Sequence, residues 1–304
     1  PPRSTLFPYT TLFRSLRFGR INKEVYLDDY RYAALKNLTR ARFFAVQNLT
    51  REKQRFMNHL FKKYSTMAQE KVFSDTFSTT ALAVYESFES AEALANMDLH
   101  QLTEFIIEKG KKRFPDPDSV AKAIQKAARS SYRLPKTVND SVNQVLSISI
   151  SSMRAMESQI KAFDKAIAEQ MALIPNTLTS VKGIGPVYSA GIIAEIGDIN
   201  RFPTQASLAK YAGLVWSQHQ SGDFEAQNTR MIHSGNRYLK YYLCEAALSL
   251  VRCDAEYRSF YHRKYKEVNK YQHKRALALT ARKLVRLVFR LLKDNCLYRA
   301  PESK

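Results

Sequence analysis

The residues able to do chemistry gather between positions 211 and 240, in YAGLVWSQHQSGDFEAQNTRMIHSGNRYLK. Ser221 and Gly222 form a Ser-Gly step in a polar loop, with His219 before it and Asp223 and Glu225 after it. A serine hydroxyl holds its proton at neutral pH and becomes a useful nucleophile only when a neighbouring group removes it. His219 is one candidate base; Asp223 and Glu225 either orient the loop or face solvent. Taken alone, the same residues also describe an ordinary polar surface loop. Upstream lies Val181-Lys182-Gly183-Ile184-Gly185-Pro186, the pattern of the hairpin in a helix-hairpin-helix. Glycine takes positive φ at little cost. A helix starting at Pro186 would present its first N–H groups to a phosphate. Lys182, Gly183 and Gly185 are therefore candidate nucleic-acid contacts, and a plain glycine turn between helices is the competing reading.

The bulk charge points the same way. The 304 residues suffice for two domains and a substantial core. Lys and Arg number 48 against 28 Asp and Glu, a net charge of +20, and positions 201 to 304 hold 20 basic and 8 acidic residues. Such an excess calls for a polyanion. Nucleic acid ranks ahead of an anionic membrane, because no apolar run approaches about 18 residues; a solvated basic surface is the plain alternative. The three cysteines (Cys244, Cys253, Cys296) and six histidines show no metal-ligand spacing. An odd cysteine count fits a reducing cytoplasm, with a nucleoid-associated protein expected, and Cys244 is expected in the core.

These residues need elements to position them, and the periodicity predicts a mostly α chain. Residues 1–15, PPRSTLFPYTTLFRS, repeat without helical or strand logic and resemble translated sequencing-adapter sequence, so they are expected to be disordered. A first long helix is predicted over 29–64, with Leu35, Leu38, Ala45, Leu49, Phe56 and Leu60 on its apolar face. Arg40, Arg42, Arg51, Lys53, Arg55, Lys62 and Lys63 decorate it, with Arg42 and Glu52 near seam positions. Short helices are expected near 80–88, 90–96, 99–109 and 119–128, with Asp98 and Ser119 as N-caps. A second long helix over 137–171 carries Met153, Met156, Ile160, Phe163 and Ile167 as a heptad seam. It either packs within the chain against the first helix or forms a coiled coil that also dimerises.

Beyond Pro175, a helix over 237–252 begins with the candidate contacts Asn236, Arg237 and Lys240. The last helix, 273–294, sets Leu277, Ala281, Leu284, Val288 and Leu291 inward. Lys274, Arg282, Arg286, Arg290 and Lys293 form a basic stripe, read either as phosphate contacts or as a solvated face. The expected division is 1–15, then 16–174 as the end of an N-terminal domain plus a helical coiled-coil region, then 175–300 as a helical C-terminal domain.

Several blocks in this order resemble the insertion-sequence one-ten family of transposases. They are the 181–186 hairpin, Ala194-Glu195-Ile196-Gly197-Asp198-Ile199 with Arg201-Phe202, Tyr211-Ala212-Gly213-Leu214, Gln220-Ser221-Gly222, Gly235-Asn236-Arg237-Tyr238-Leu239 and the 273–292 helix. The resemblance runs from about 16 to 299. It implies an N-terminal RuvC-like domain with four acidic magnesium ligands and a helical C-terminal domain bearing a serine nucleophile. It also implies a structured guide RNA that selects donor and target DNA. Ser221 maps to that serine. Trp216, His233 and Lys240 depart from common family residues. The acidic set maps before residue 16, so the chain is expected to be N-terminally truncated. Asp28 and Asp29 do not fit the family's acidic motif, and this chain is expected to bind no magnesium itself.

The resulting expectation is a transposase fragment whose parent cuts and rejoins DNA at element ends through Ser221 with an RNA guide. The fragment itself is expected to bind DNA, to associate as a homo-oligomer through the coiled coil, to have no membrane partner and to be inactive alone. The rival is a non-catalytic helix-hairpin-helix DNA-binding or junction accessory protein. A third reading is a dimerising structural protein with an incidental basic surface.

Overall fold

The computed structural model describes residues 29–70, 72–111, 113–217, 220–221, 224–225 and 231–299. The expectations for 1–15 and 16–20 and for Asp28, His219, Gly222 and Asp223 lie outside the described residues. The protein is mostly α, as the periodicity predicts. Among the described residues no helix is long and apolar enough to cross a membrane. The chain divides into two compact units, Leu38–Glu169 and Gln170–Lys304 together with Pro1–Asn37.

The first unit is built from α1 (Tyr30–Lys63), α2 (Ser65–Glu70), α3 (Thr79–Ser87), α4 (Ala91–Asn96), α5 (Leu99–Gly110), α6 (Pro117–Arg129) and α7 (Lys136–Met171). Phe56 and Leu60 of α1 enter one core with Val84, Leu94, Leu102, Ile106, Ile124, Leu146 and Ile150. Each such fully buried side chain contributes roughly 1.5–3 kcal/mol. Ser78, Ser90 and Asp98 cap α3, α4 and α5 by accepting from the backbone N–H three residues on. Ser119 is not a cap. Pro117 fits the first helical position, so α6 starts earlier and Asp116 accepts the Ser119 N–H. The six-residue α2 was not foreseen, because one and a half turns leave no readable period.

The two long helices run antiparallel within one chain. Arg42 pairs with Asp164, Lys53 with Glu157, and the Ser149 hydroxyl donates to Glu52. The charges near the predicted seam are thus matched across the two helices. Of that seam, Met153 and Ile167 are buried, while Met156, Ile160 and Phe163 are half-buried.

Lys63, one of the basic residues that decorate α1, is buried. It is 2% exposed, and its ammonium donates to the Tyr85 carbonyl at 2.9 Å. Burial pulls its pKa from 10.5 down to about 8. The folded chain therefore releases this proton before the unfolded chain does. Carrying the charge costs stability below pH 8, and that cost fades as pH rises from about 8 to 10.5. Urea unfolding should show the native chain gaining on Lys63→Met by up to about 3 kcal/mol across that window. A difference that stays constant from pH 7 to 10.5 would refute the burial argument.

The second unit holds α8 (Pro186–Ile196), α9 (Gln205–Tyr211), α10 (Arg237–Cys253), α11 (Ala255–Lys266) and α12 (Gln272–Lys293), with 3₁₀ turns at Leu178–Ser180 and Ile199–Arg201. A hairpin of β1 (Gln220–Ser221) and β2 (Phe224–Glu225) rises between α9 and α10 in sequence. α10 is the hub and packs on α8, α11 and α12. Gly191 lets α8 come close to α10: a Cβ there would stand 2.4 Å from the Tyr242 ring. The buried face of α12 is Ala276, Ala278, Thr280, Ala281, Leu284, Val285, Val288 and Leu291, so the expected inward residues Ala281, Leu284, Val288 and Leu291 are buried and Leu277 alone is half-buried. Cys244 is half-buried on α10, and burial pushes its thiol up to about 11.

Candidate nucleic-acid site

The segment carrying Ser221 starts and ends at a stem made of two glycines. Gly213 has φ +69 and Gly235 φ +118, a region that side-chain-bearing residues rarely adopt. A Cβ on Gly235 would stand 2.6 Å from Gly213 Cα, and one on Gly213 would stand 2.6 Å from the Ser234 carbonyl. The backbones can meet only because both residues lack side chains. The Asn236 N–H donates to the Tyr211 carbonyl at 2.7 Å, and the Ile232 N–H to the Val215 carbonyl at 3.0 Å. Above the stem, Trp216 and Met231 form an antiparallel bridge, and Ser221 then pairs with Phe224 across the hairpin. The expected polar loop thus contains a short strand pair, with Ser221 at the end of its first strand.

Below the stem, separate sequence blocks meet at one polar node. Asn236 caps α10 by accepting from the Tyr238 and Leu239 N–H groups, both at 3.0 Å. Its amide donates to the fully buried Glu195 carboxylate at 2.7 Å and to the Tyr211 hydroxyl at 3.2 Å. Both amide hydrogens and the carbonyl oxygen are thereby used. Asn236 therefore serves as a structural cap whose amide is engaged within the fold. Arg201 stands over the Phe202 and Tyr211 rings, 4.6 and 4.7 Å from their centroids. A cation over an aromatic face adds about 0.5–1 kcal/mol at an exposed position and more when desolvated.

The foot of the serine hairpin forms one wall of a cleft of about 1130 Å³. Its lining includes Trp216, His233, Lys240, Lys270, Tyr271 and Lys274. The Glu267 carboxylate, also in the lining, accepts from Lys264 and Arg275, and these bonds hold it below the usual carboxylate range. Lys240, Lys270 and Lys274 make no ion pair with another described residue, so the cleft carries net positive charge. Ser221 is five residues from Trp216, no more than about 18 Å along the chain. Trp216, Lys270 and Tyr271 were not singled out as site residues, because nothing in their local sequence says that they share a cleft.

The other candidate contacts lie elsewhere. At about 100° per residue, Lys274 sits roughly 80–160° around α12 from Arg282, Arg286 and Arg290. The expected single stripe is therefore two faces. Arg286 and Arg290 border a separate cleft of about 670 Å³ with Lys283, Tyr257 and Tyr298. Arg282 donates to the Gln205 carbonyl at 3.5 Å, and burial, with Arg286 nearby, lowers its pKa. Lys293 donates to Asn200, and Arg290 faces Asp294 at 3.7 Å. Arg237 is exposed and stacks on the Tyr238 ring at 4.7 Å.

The glycine hairpin also needs revision. Gly183 has φ +111 and sits against Leu250 and Cys253 of α10, so its glycine requirement is met by packing. Gly185 has φ −73 and ψ 171, an extended N-cap conformation open to any residue. Its Cβ position is open space, and Lys182, three residues earlier, is exposed. Where a helix-hairpin-helix would place its first helix, the chain has the single 3₁₀ turn Leu178–Ser180. Among the described residues no three His, Cys, Asp or Glu side chains converge as a metal-binding group, so none is assigned to magnesium.

Comparison with known proteins gives the fold its family. Residues 176–262 match the description Transposase IS116/IS110/IS902 family. That span covers the glycine hairpin, the polar node, the stem and the serine hairpin. Curated proteins named for these same elements align with the chain over a wider range. Residues 176–262 thus carry the domain of this transposase family. One relative, "Insertion element IS110 uncharacterized 43.6 kDa protein" of Streptomyces coelicolor, is 33% identical over 145 residues, covering 48% of this chain and 34% of the relative. Another, "Insertion element IS116 uncharacterized 44.8 kDa protein" of Streptomyces clavuligerus, is 26% identical over 243 residues, covering 76% and 57%. A "Probable family 20 transposase" of Pseudomonas aeruginosa is 32% identical over 100 residues, covering 33% and 28%. The chain thus spans between about a third and little over half of the first two relatives' lengths. The family assignment agrees with the resemblance carried by the sequence blocks.

Proposed function

We propose that the second unit is the strand-cleaving half of a DNA transposase and that Ser221 is its nucleophile. The observation that carries this reading is the glycine-clamped stem inside the family-matched segment: the hairpin that bears Ser221 rises from it, and the foot of that hairpin, Trp216 and Met231, lines a cationic cleft. In the proposed step, Ser221 Oγ loses its proton and bonds to a backbone phosphorus. The bond from phosphorus to a deoxyribose oxygen breaks, and that oxygen leaves with a proton. The phosphoserine link keeps the phosphodiester energy, so a second strand end can displace the serine without ATP. Magnesium, held by acidic residues other than those described, and a structured guide RNA take part in this reading with the whole protein. Homo-oligomers form through the helical unit, where Val138, Val145 and Ile148 of α7 leave an apolar stripe at heptad-like spacing exposed.

The binding half of the proposal is tested on the chain itself. Lys240→Glu with Lys274→Glu is expected to weaken binding of a labelled DNA strand by at least about tenfold at low salt and to flatten its salt dependence. Fluorescence anisotropy at 50 and 200 mM salt reads both effects. Binding that ignores salt in the native chain would favour the structural reading of the basic surface. Loss of binding only in Lys182→Glu, with the cleft variant unaffected, would favour the hairpin-based accessory protein.

A further inference from the structure

We infer that the cleft beneath the serine hairpin is a pocket for an unpaired nucleobase of the DNA strand, stacked between or against Trp216 and Tyr271. This deepens the proposed function and rests on it. Tyr271 is the sharpest observation. It is 80% exposed, it lines the cleft, and it stands in the left-handed region at φ 53 and ψ 30 as the N-cap of α12. A tyrosine there pays a conformational cost that glycine would not, and its side chain makes no capping bond in return. Residues held in sparsely populated backbone conformations cluster at active sites and ligand clamps. Trp216, half-buried, presents a second ring in the same lining.

The chemistry of the lining selects the ligand. Aromatic faces accept any base by stacking, and lysines beside them take the flanking phosphates. Lys240, Lys270 and Lys274 occupy those positions around the cleft. A duplex keeps its bases stacked on each other and offers no free face to a ring. A single strand, or a base turned out beside the phosphate under attack, does. The pocket would therefore hold the strand so that the phosphate next to the captured base reaches Ser221, a few residues up the hairpin from Trp216.

Trp216 is the only tryptophan in the 304 residues, so tryptophan emission, excited beyond the absorption of the tyrosines, reports on this pocket. The probes are a twelve-nucleotide oligothymidylate, its RNA counterpart and a duplex of the same length, with binding followed in parallel by anisotropy. The single DNA strand should quench Trp216 and the duplex should not. Tyr271→Gly removes the ring and suits the left-handed backbone, so the fold is kept, as circular dichroism will verify. It is expected to weaken the DNA strand about tenfold and to leave duplex binding within about twofold. Three results would overturn the pocket while leaving the proposed function standing: strand binding without quenching, equal affinity in Tyr271→Gly, or quenching by the RNA oligomer alone. If neither strand nor duplex binds at all, the proposed function falls with it.

Discussion

Ser221→Ala in the whole transposase is expected to cut the yield of covalent protein–DNA adduct by at least about 10³-fold. Removing Oγ takes away the atom that would bond to phosphorus, and water in its place leaves no protein link to detect. The reaction would be assembled with element-end DNA, magnesium and the element's RNA, then denatured and resolved by gel. Binding should persist, because the positive charge of the cleft is supplied by Lys240, Lys270 and Lys274 rather than by the serine. Loss of the adduct with retained DNA affinity separates a nucleophile from a contact. Robust adducts in Ser221→Ala would remove Ser221 from the mechanism.

Gly235→Val should nearly match that loss without touching the serine. At φ +118 a β-branched residue is strained, by about 1–3 kcal/mol. Its Cβ would also lie 2.6 Å from Gly213 backbone atoms and 3.1 Å from the Tyr211 carbonyl, none of which can rotate away. The stem must open, breaking the Asn236 to Tyr211 backbone bond and shifting the hairpin. A displacement of about 1 Å at a catalytic group costs about 10² in rate, so adduct formation should fall at least that far. The helical core lies beneath the stem, so circular dichroism at 25 °C should change little while the melting point drops. Near-native adduct yield in a folded Gly235→Val would show that the stem does not set the position of Ser221.

The helical boundaries were readable because apolar spacing and capping residues act locally. The 137–171 prediction against Lys136–Met171, and 237–252 against Arg237–Cys253, differ by a residue at an end. Errors arose where a local rule had two solutions. Ser119 and Asp116 can both cap, and Pro117 decides between them by preferring the first turn. Lys63 has the same local sequence signature as the solvated Lys62, and only the placement of Tyr85 against it shows which is buried. Gly183 and Gly185 look alike in sequence, yet only Gly183 has positive φ.

By itself the sequence determined the mostly α class, the basic balance, the family blocks and the candidate serine, since each depends on residue identity or short-range spacing. Tertiary structure alone decided how the blocks relate. Glu195, Tyr211 and Asn236 are up to 41 positions apart and share one hydrogen-bonded node, while Lys274 parts from Arg282, Arg286 and Arg290 of its own helix to join Lys240 and Trp216. Such pairings are set by how helices cross and where a glycine allows close approach. Those are properties of packed surfaces, and no window of neighbouring residues encodes them.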